Sequence, residues 1–265
     1  MSTGKLAGKW ALVTGASSGL GVDFARRLAA RGCNLILVAR REERLAEVRE
    51  EIEGEYGVKA RVIAMDLARD EAPRELVDEV DQEGLQVDVL INNAGFGMHG
   101  PFEEGDWERY RKMIKLNVQT LVGLTRLVLD GMEERGFGYI MLVASNGAFQ
   151  PTPEYALYGA TKSLVRSFGE ALSYELRNSP VSCTVISPGP TRTEFHDVAG
   201  QDRQGNLYIR LLMMESERVA EIGVRSMLRE KPSVVPGFLN KVFAWSAQRG
   251  PRRLITALAG RLMGA

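Results

Sequence analysis

The sequence predicts an α/β fold: a doubly wound parallel sheet with helices on both faces. Three observations carry this. Short β-rich runs alternate with longer amphipathic segments, the pattern of parallel strands joined by right-handed crossovers. The runs are continuously apolar rather than alternating, as strands buried on both faces are. A glycine-rich turn follows the first run at once, at the strand end where open α/β sheets bind ligands.

The runs are WALVT (10–14), NLILVA (34–39), ARVIAM (60–65), DVLIN (88–92), GYIMLVA (138–144) and VSCTVIS (181–187). Helical segments are expected at about 19–31, 42–56, 71–83, 105–133, 155–178 and 216–229. No Pro/Gly/Ser-rich linker and no internal repeat interrupts the chain. We therefore expect one catalytic-size domain over 1–237, with 238–265 as a helical extension of it. Gly250 and Pro251 divide that extension into candidate amphipathic helices at 238–248 and 252–263.

Lysine and arginine total 34, and so do aspartate and glutamate, which gives no whole-molecule case for binding nucleic acid. The balance is uneven. From Lys231 onward there are six basic residues (Lys231, Lys241, Arg249, Arg252, Arg253 and Arg261) and no acidic one. The body is correspondingly acidic. Cys33 and Cys183 lie in or beside apolar runs and read as reduced core thiols. His99 and His196 are isolated, so no metal site is expected. The N-terminal stretch has no apolar signal core, and no run approaches the roughly 18 apolar residues of a spanning helix. A cytoplasmic location is the expectation.

The turn GASSGLG (15–21) sits between the first strand and a helix. Gly15, Gly19 and Gly21 permit a tight turn, and the helix start offers N–H groups to a phosphate. A dinucleotide site follows. The second strand ends LVARREER, with no carboxylate to accept from a ribose 2′-hydroxyl. Arg40 and Arg41 stand there instead, which favours the 2′-phosphate of NADP. Asp66 ends the third strand, NNAG (92–95) the fourth, and Ser145 the fifth. Tyr158 and Lys162, in YALYGATKSL, are four residues apart on one helix face, where an ammonium favours the phenolate.

Together these pieces resemble the short-chain dehydrogenase/reductase family, classical type. They read TGASSGLG (14–21), MDL (65–67), NNAG (92–95), LNV (116–118), Ser145, YGATK (158–162) and SPGPTRTEF (187–195). The resemblance covers about residues 8–235 and implies a Rossmann-type sheet of order 3-2-1-4-5-6-7, the seventh strand near SVVPG (233–237). It implies an NADP(H)-dependent oxidoreductase interconverting a carbonyl and a secondary alcohol. Tyr158 would be the general acid/base, and Lys162 would hold the nicotinamide ribose and lower the tyrosine pKa. Ser145 would bond the substrate oxygen, and Asn117 would anchor a relay water. Tyr155 is a rival for the acid role but has Gly159, not lysine, at i+4.

The same resemblance puts Gly15, Ser17, Ser18, Gly19, Leu20 and Gly21 at the pyrophosphate or adenosine, and Arg40 at the 2′-phosphate. Asp66 and Leu67 would flank the adenine, with Asn93, Ala94 and Gly95 on its ribose side. Pro188, Gly189, Thr191 and Thr193 would close over the nicotinamide. Asn146 departs from the family's habit of a serine after the catalytic serine. The substrate loops would present Phe96, Met98, Phe149, Tyr155, Phe195, Tyr208 and Met213, a mostly apolar set suited to an apolar ketone or acyl chain. Residues 196–215 would form a lid.

Relatives pair through the two long helices read here at 105–133 and 155–178, so a homodimer or homotetramer is expected. The tail resembles that of a broad bacterial-type reductase subgroup. It has three readings: packing on its own or a sister domain, lying on an anionic membrane, or binding a partner. The contrasting functional reading is a catalytically silent NADP-binding regulator or membrane-surface scaffold on the same fold.

Overall fold

The computed structural model describes residues 4–193 and 211–263, and in them strand and helix alternate as the sequence predicts. The first half runs β1 (Trp10–Thr14), α1 (Gly19–Ala29), β2 (Asn34–Ala39), α2 (Glu42–Tyr56), β3 (Ala60–Ala64), α3 (Ala72–Gln82) and β4 (Val87–Asn92). The second runs α4 (Trp107–Ile114), α5 (Leu121–Glu134), β5 (Gly138–Val143), α6 (Ala156–Glu175) and β6 (Val181–Ile186). There follow β7 (Thr191–Arg192), β8 (Met214–Glu215), α7 (Ser216–Met227), β9 (Ser233–Val234), α8 (Phe238–Arg249) and α9 (Arg252–Met263).

Seven strands form one sheet in the order β3-β2-β1-β4-β5-β6-β9, and every pairing is parallel. This is the expected order, with the two-residue β9 as the seventh strand. β7 and β8 pair separately. The continuous apolar runs now have their reason. Alternate strand residues enter different cores. Ala11, Val13, Leu35 and Leu37 pack with α1, α2 and α7, through Phe24, Leu28, Leu45, Ile52 and Val224. Leu12, Ile36, Val38 and Leu90 pack with α3, α5 and α6, through Leu76, Leu124, Val128 and Val165. Each large side chain buried this way contributes roughly 1.5–3 kcal/mol.

One expectation changes, and the tail takes the first of its three readings. The helix expected at 105–133 is two helices joined by a π-helical turn at Lys115–Thr120. The wider turn accommodates an extra residue and carries Asn117, which is fully buried. The tail packs on its own chain: Ala244 and Ala247 of α8 join Phe149 in a small apolar cluster, with Ile255 of α9 against it. Phe238, Leu239, Val242, Trp245, Leu254 and Leu258 remain exposed on the outer side. Among the described residues, no helix is long and apolar enough to cross a membrane. Cys33 and Cys183 are free and buried, and burial pushes both thiols up to about 12.

Candidate active site

β1 and β4 are neighbours in the sheet, and the chain winds away from them in opposite directions. Their C-terminal ends therefore open a crevice, the topological switch point. A cavity of about 460 Å³ occupies it.

At one end lies the glycine-rich turn. The backbone at Ser18 is extended and its side chain makes no capping bond, so Ser18 does not occupy the first N–H groups of α1. No acidic residue stands in that first turn, which suits an anion there. Gly19 has φ +53°, and a Cβ on it would come within 2.9 Å of the Thr193 side chain, filling the cradle between the two lips. Gly21 is different. It is absent from the cavity wall, and a Cβ there would overlap the Gly15 carbonyl, so its role is to let α1 pack on the turn.

The turn is clamped to β4. Asn93 Nδ2 donates to the Thr14 carbonyl at 2.9 Å, and Thr14 Oγ1 accepts from the backbone N–H groups of Asn93 and Ala94, both at 3.0 Å. Asn92 is buried elsewhere and bonds Thr125 Oγ1 and the Leu121 carbonyl. Farther along the cavity stand Ala39, Arg40, Arg41, Met65, Asp66 and Leu67. Asp66 Oδ1 accepts from Ala68 N at 3.1 Å and shapes its own turn. Arg41 reaches back to the glycine turn, donating to Ser17 Oγ at 3.3 Å and to the Ser17 carbonyl at 3.2 Å. Met65 and Leu67 offer apolar faces, the arginines offer fixed charge, and α1 offers N–H groups. This donor set fits a dinucleotide with an extra phosphate at the arginine end.

The other end holds the chemistry. Ser145 caps the 3-10 turn Asn146–Phe149, with Oγ accepting from Gly147 N at 3.1 Å. The Tyr158 hydroxyl and Ser145 are hydrogen-bonded. Burial pushes the Tyr158 phenol up to about 12, with the Ser145 bond pulling the other way. Lys162 is buried, and its Nζ donates to the Val143 carbonyl at 2.7 Å, standing 5.9 Å from the Tyr158 ring centre. Burial brings the ammonium down to about 8. The expected lowering of the phenol by Lys162 is not among the causes of this shift, which are desolvation and the Ser145 bond.

Asn117 is close to this group without lining the cavity. Its Oδ1 accepts from Phe96 N at 3.1 Å, while Nδ2 donates to the Phe96 carbonyl at 3.0 Å and Thr161 Oγ1 at 3.2 Å. The side chain is a clamp on the turn after β4, engaged with the Phe96 backbone and Thr161.

Most predicted residues converge on the cavity wall: Gly15, Ser17, Ser18, Gly19, Leu20, Arg40, Asp66 and Leu67 at one end. Asn93, Ala94, Gly95, Phe96, Ser145, Tyr155, Tyr158, Lys162, Pro188, Gly189, Thr191 and Thr193 complete it. Met98 is not on the wall. Phe149, expected at the substrate, instead packs in the cluster under α8, with the Arg166 guanidinium 4.1 Å over its ring. Phe195, Tyr208 and most of the expected lid lie outside the described residues. Residues not foreseen as site residues include Met65, Leu116, Gln150, Thr152, Leu212 and Phe243, with Arg41 singled out only beside Arg40. Gln150 and Thr152 had a signal, since they are polar residues between Ser145 and Tyr158. Phe243 had none, because its helix pattern does not say which face turns to the cavity.

The short chain dehydrogenase family model matches residues 9–204. The very-long-chain 3-oxoacyl-CoA reductase of Anas platyrhynchos is 34% identical over 198 residues, covering 72% of this chain and 62% of that protein. The chain thus spans less than two thirds of that relative's length. A solved 7beta-hydroxysteroid dehydrogenase matches with a TM-score of 0.87 and 25% identity, over 98% of this chain and all of that one. A short-chain dehydrogenase from Sphingobium yanoikuyae in complex with NADPH matches with a TM-score of 0.80 and 29% identity, over 91% of this chain and 93% of that one. Sequence and fold agree: this chain belongs to the short-chain dehydrogenase family.

Proposed function

We propose that the protein is an NADP(H)-dependent oxidoreductase that reduces the carbonyl of an apolar ketone or acyl-type substrate to a secondary alcohol. The observation that carries this is the Tyr158–Ser145 hydrogen bond in the same cavity as the glycine-rich turn and two arginines. When bound, the nicotinamide supplies the hydride. The chain's own residues handle the rest. A carbonyl oxygen held between Ser145 and Tyr158 receives hydrogen bonds from both hydroxyls, and these strengthen as negative charge develops on it. Tyr158 then gives up its proton as general acid. A phenol pushed up to about 12 is protonated at neutral pH, the form a general acid needs. Lys162, four residues on and bonded through Nζ to the Val143 carbonyl, would hold the ribose hydroxyls.

Phe96, Leu116, Tyr155, Leu212 and Phe243 line the cavity and support an apolar substrate. The names of two relatives, a 3-oxoacyl-CoA reductase and a hydroxysteroid dehydrogenase, point to largely hydrocarbon skeletons as well. The test is NADPH oxidation at 340 nm with aliphatic, steroidal and sugar ketones, beside Tyr158→Phe. Turnover of apolar ketones that vanishes in the variant supports the reading. Tight NADPH binding with no turnover of any carbonyl would leave a silent cofactor-binding protein instead.

The outer face of the tail is read as an anionic membrane contact that brings such substrates close. Leu239, Val242 and Trp245 are exposed there, and Lys241, Arg249, Arg252 and Arg253 accompany them with no carboxylate. Each basic residue near an anionic bilayer contributes about 1 kcal/mol. Leu239→Glu with Trp245→Glu should abolish pelleting with phosphatidylserine vesicles while leaving turnover unchanged. Equal pelleting of parent and variant would refute the contact. Pairing of two copies through α5 and α6, which exposes Leu164 and Tyr174, is checked by light scattering.

A further inference from the structure

Helix α8 belongs to the extension, yet it reaches the active-site cavity. Phe243 stands on the cavity wall. One turn earlier, Asn240 is 2% exposed and joins three separate segments. Its Oδ1 accepts from Asn146 Nδ2 at 2.9 Å, and its Nδ2 donates to the Leu212 carbonyl at 3.1 Å. It also packs on Gly189 so closely that a Cβ there would overlap its amide. Asn146, Leu212 and Gly189 all line the cavity.

Asn146 is the residue that departs from the family's serine. It follows Ser145 directly, and its N–H donates to the Pro188 carbonyl at 2.7 Å. Its side-chain Oδ1 is buried with no hydrogen-bond partner among the described residues. The bond to Asn240 therefore carries the pairing of a buried amide. Without the Asn240 amide, Asn146 and the Leu212 carbonyl would each lose a partner, and groups left so are driven to move. A serine at 146 ends one bond shorter, which takes its hydroxyl out of hydrogen-bond distance of Asn240.

We propose that Asn240 is a positioning residue for the reaction: it holds the Ser145 turn, the 188–189 turn and the Leu212 segment in a single arrangement. The effect on turnover rests on the reductase reading above; the coupling between segments does not.

The test is Asn240→Leu, similar in volume and unable to make either bond, compared with the parent by hydrogen exchange and steady-state kinetics. Faster exchange is expected in peptides covering 144–150 and 211–215 as well as in α8. kcat/KM should fall at least about tenfold, as misplacement of a reacting group does, while the NADPH Kd stays within about threefold. Asn240→Asp, which keeps the acceptor for Asn146, should recover part of the loss. Faster exchange confined to 238–263, with kcat/KM at the parental value, would overturn the proposal and leave Asn240 as a tail anchor only. If the parent reduces no carbonyl, the functional reading fails, and the exchange pattern alone decides the coupling. If Asn240→Leu does not fold, Asn146→Ala, which severs only the 2.9 Å bond, is read by the same two outcomes.

Discussion

On the proposed NADP(H) reading, removing the two arginines beside the glycine-rich turn should erase the preference for NADPH over NADH. Both line the cavity, at the end of β2 where Ala39 provides no carboxylate. A hydrogen bond to a charged group contributes about 1.5–3 kcal/mol. Arg40 and Arg41 are both exposed, so salt screening places each near the lower end. About 1.5 kcal/mol is roughly tenfold in Kd. Arg41 is held by its two bonds to Ser17 and loses less side-chain freedom on binding, so Arg41→Ala should cost at least as much as Arg40→Ala. The double variant should bind NADPH roughly 50- to 100-fold more weakly, with NADH changed less than about threefold. The assay is a fluorescence titration of both nucleotides at low and high salt. NADPH affinity within twofold of the parent in the double variant would refute the reasoning. Equal weakening of NADH would show that the arginines meet the pyrophosphate instead.

Three more outcomes are expected. Tyr158→Phe should lower kcat by about 10²–10⁴-fold and leave NADPH affinity nearly unchanged, measured by turnover and titration on the same sample. Lys162 is brought from 10.5 down to about 8, so between those pH values the unfolded chain holds a proton that the folded chain has released. Stability from this group therefore rises with pH across that window and is lowest below it. Relative to Lys162→Met, the parent should gain on the order of 2 kcal/mol between pH 8 and 9.5 in urea unfolding; a flat difference would contradict the burial of a charged lysine. Gly21→Ala would drive a Cβ into the Gly15 carbonyl and should cost about 1–3 kcal/mol together with nucleotide affinity, read by urea unfolding and titration.

The sequence by itself determined the sheet and most of the site. Strand and helix order follow from apolar runs and periodicity, and the cofactor end follows from Gly15, Gly19, the two arginines and the strand-end turns. These signals are local: a turn needs its glycines, and a helix turn brings Tyr158 and Lys162 to one face. What lay beyond reach depends on packing between distant segments. The π turn that carries Asn117 replaces an expected continuous helix because the Phe96 backbone and Thr161 form its partners. The phenol's pKa is raised by desolvation, a consequence of how the fold closes around it. Phe149 faces the tail rather than the substrate because α8 covers that side. Asn146 looked like a neutral departure until Asn240, 94 residues farther on, was brought within 2.9 Å of it. A contact of that kind is decided by how helices close over the sheet, and no residue pattern on either segment encodes it alone.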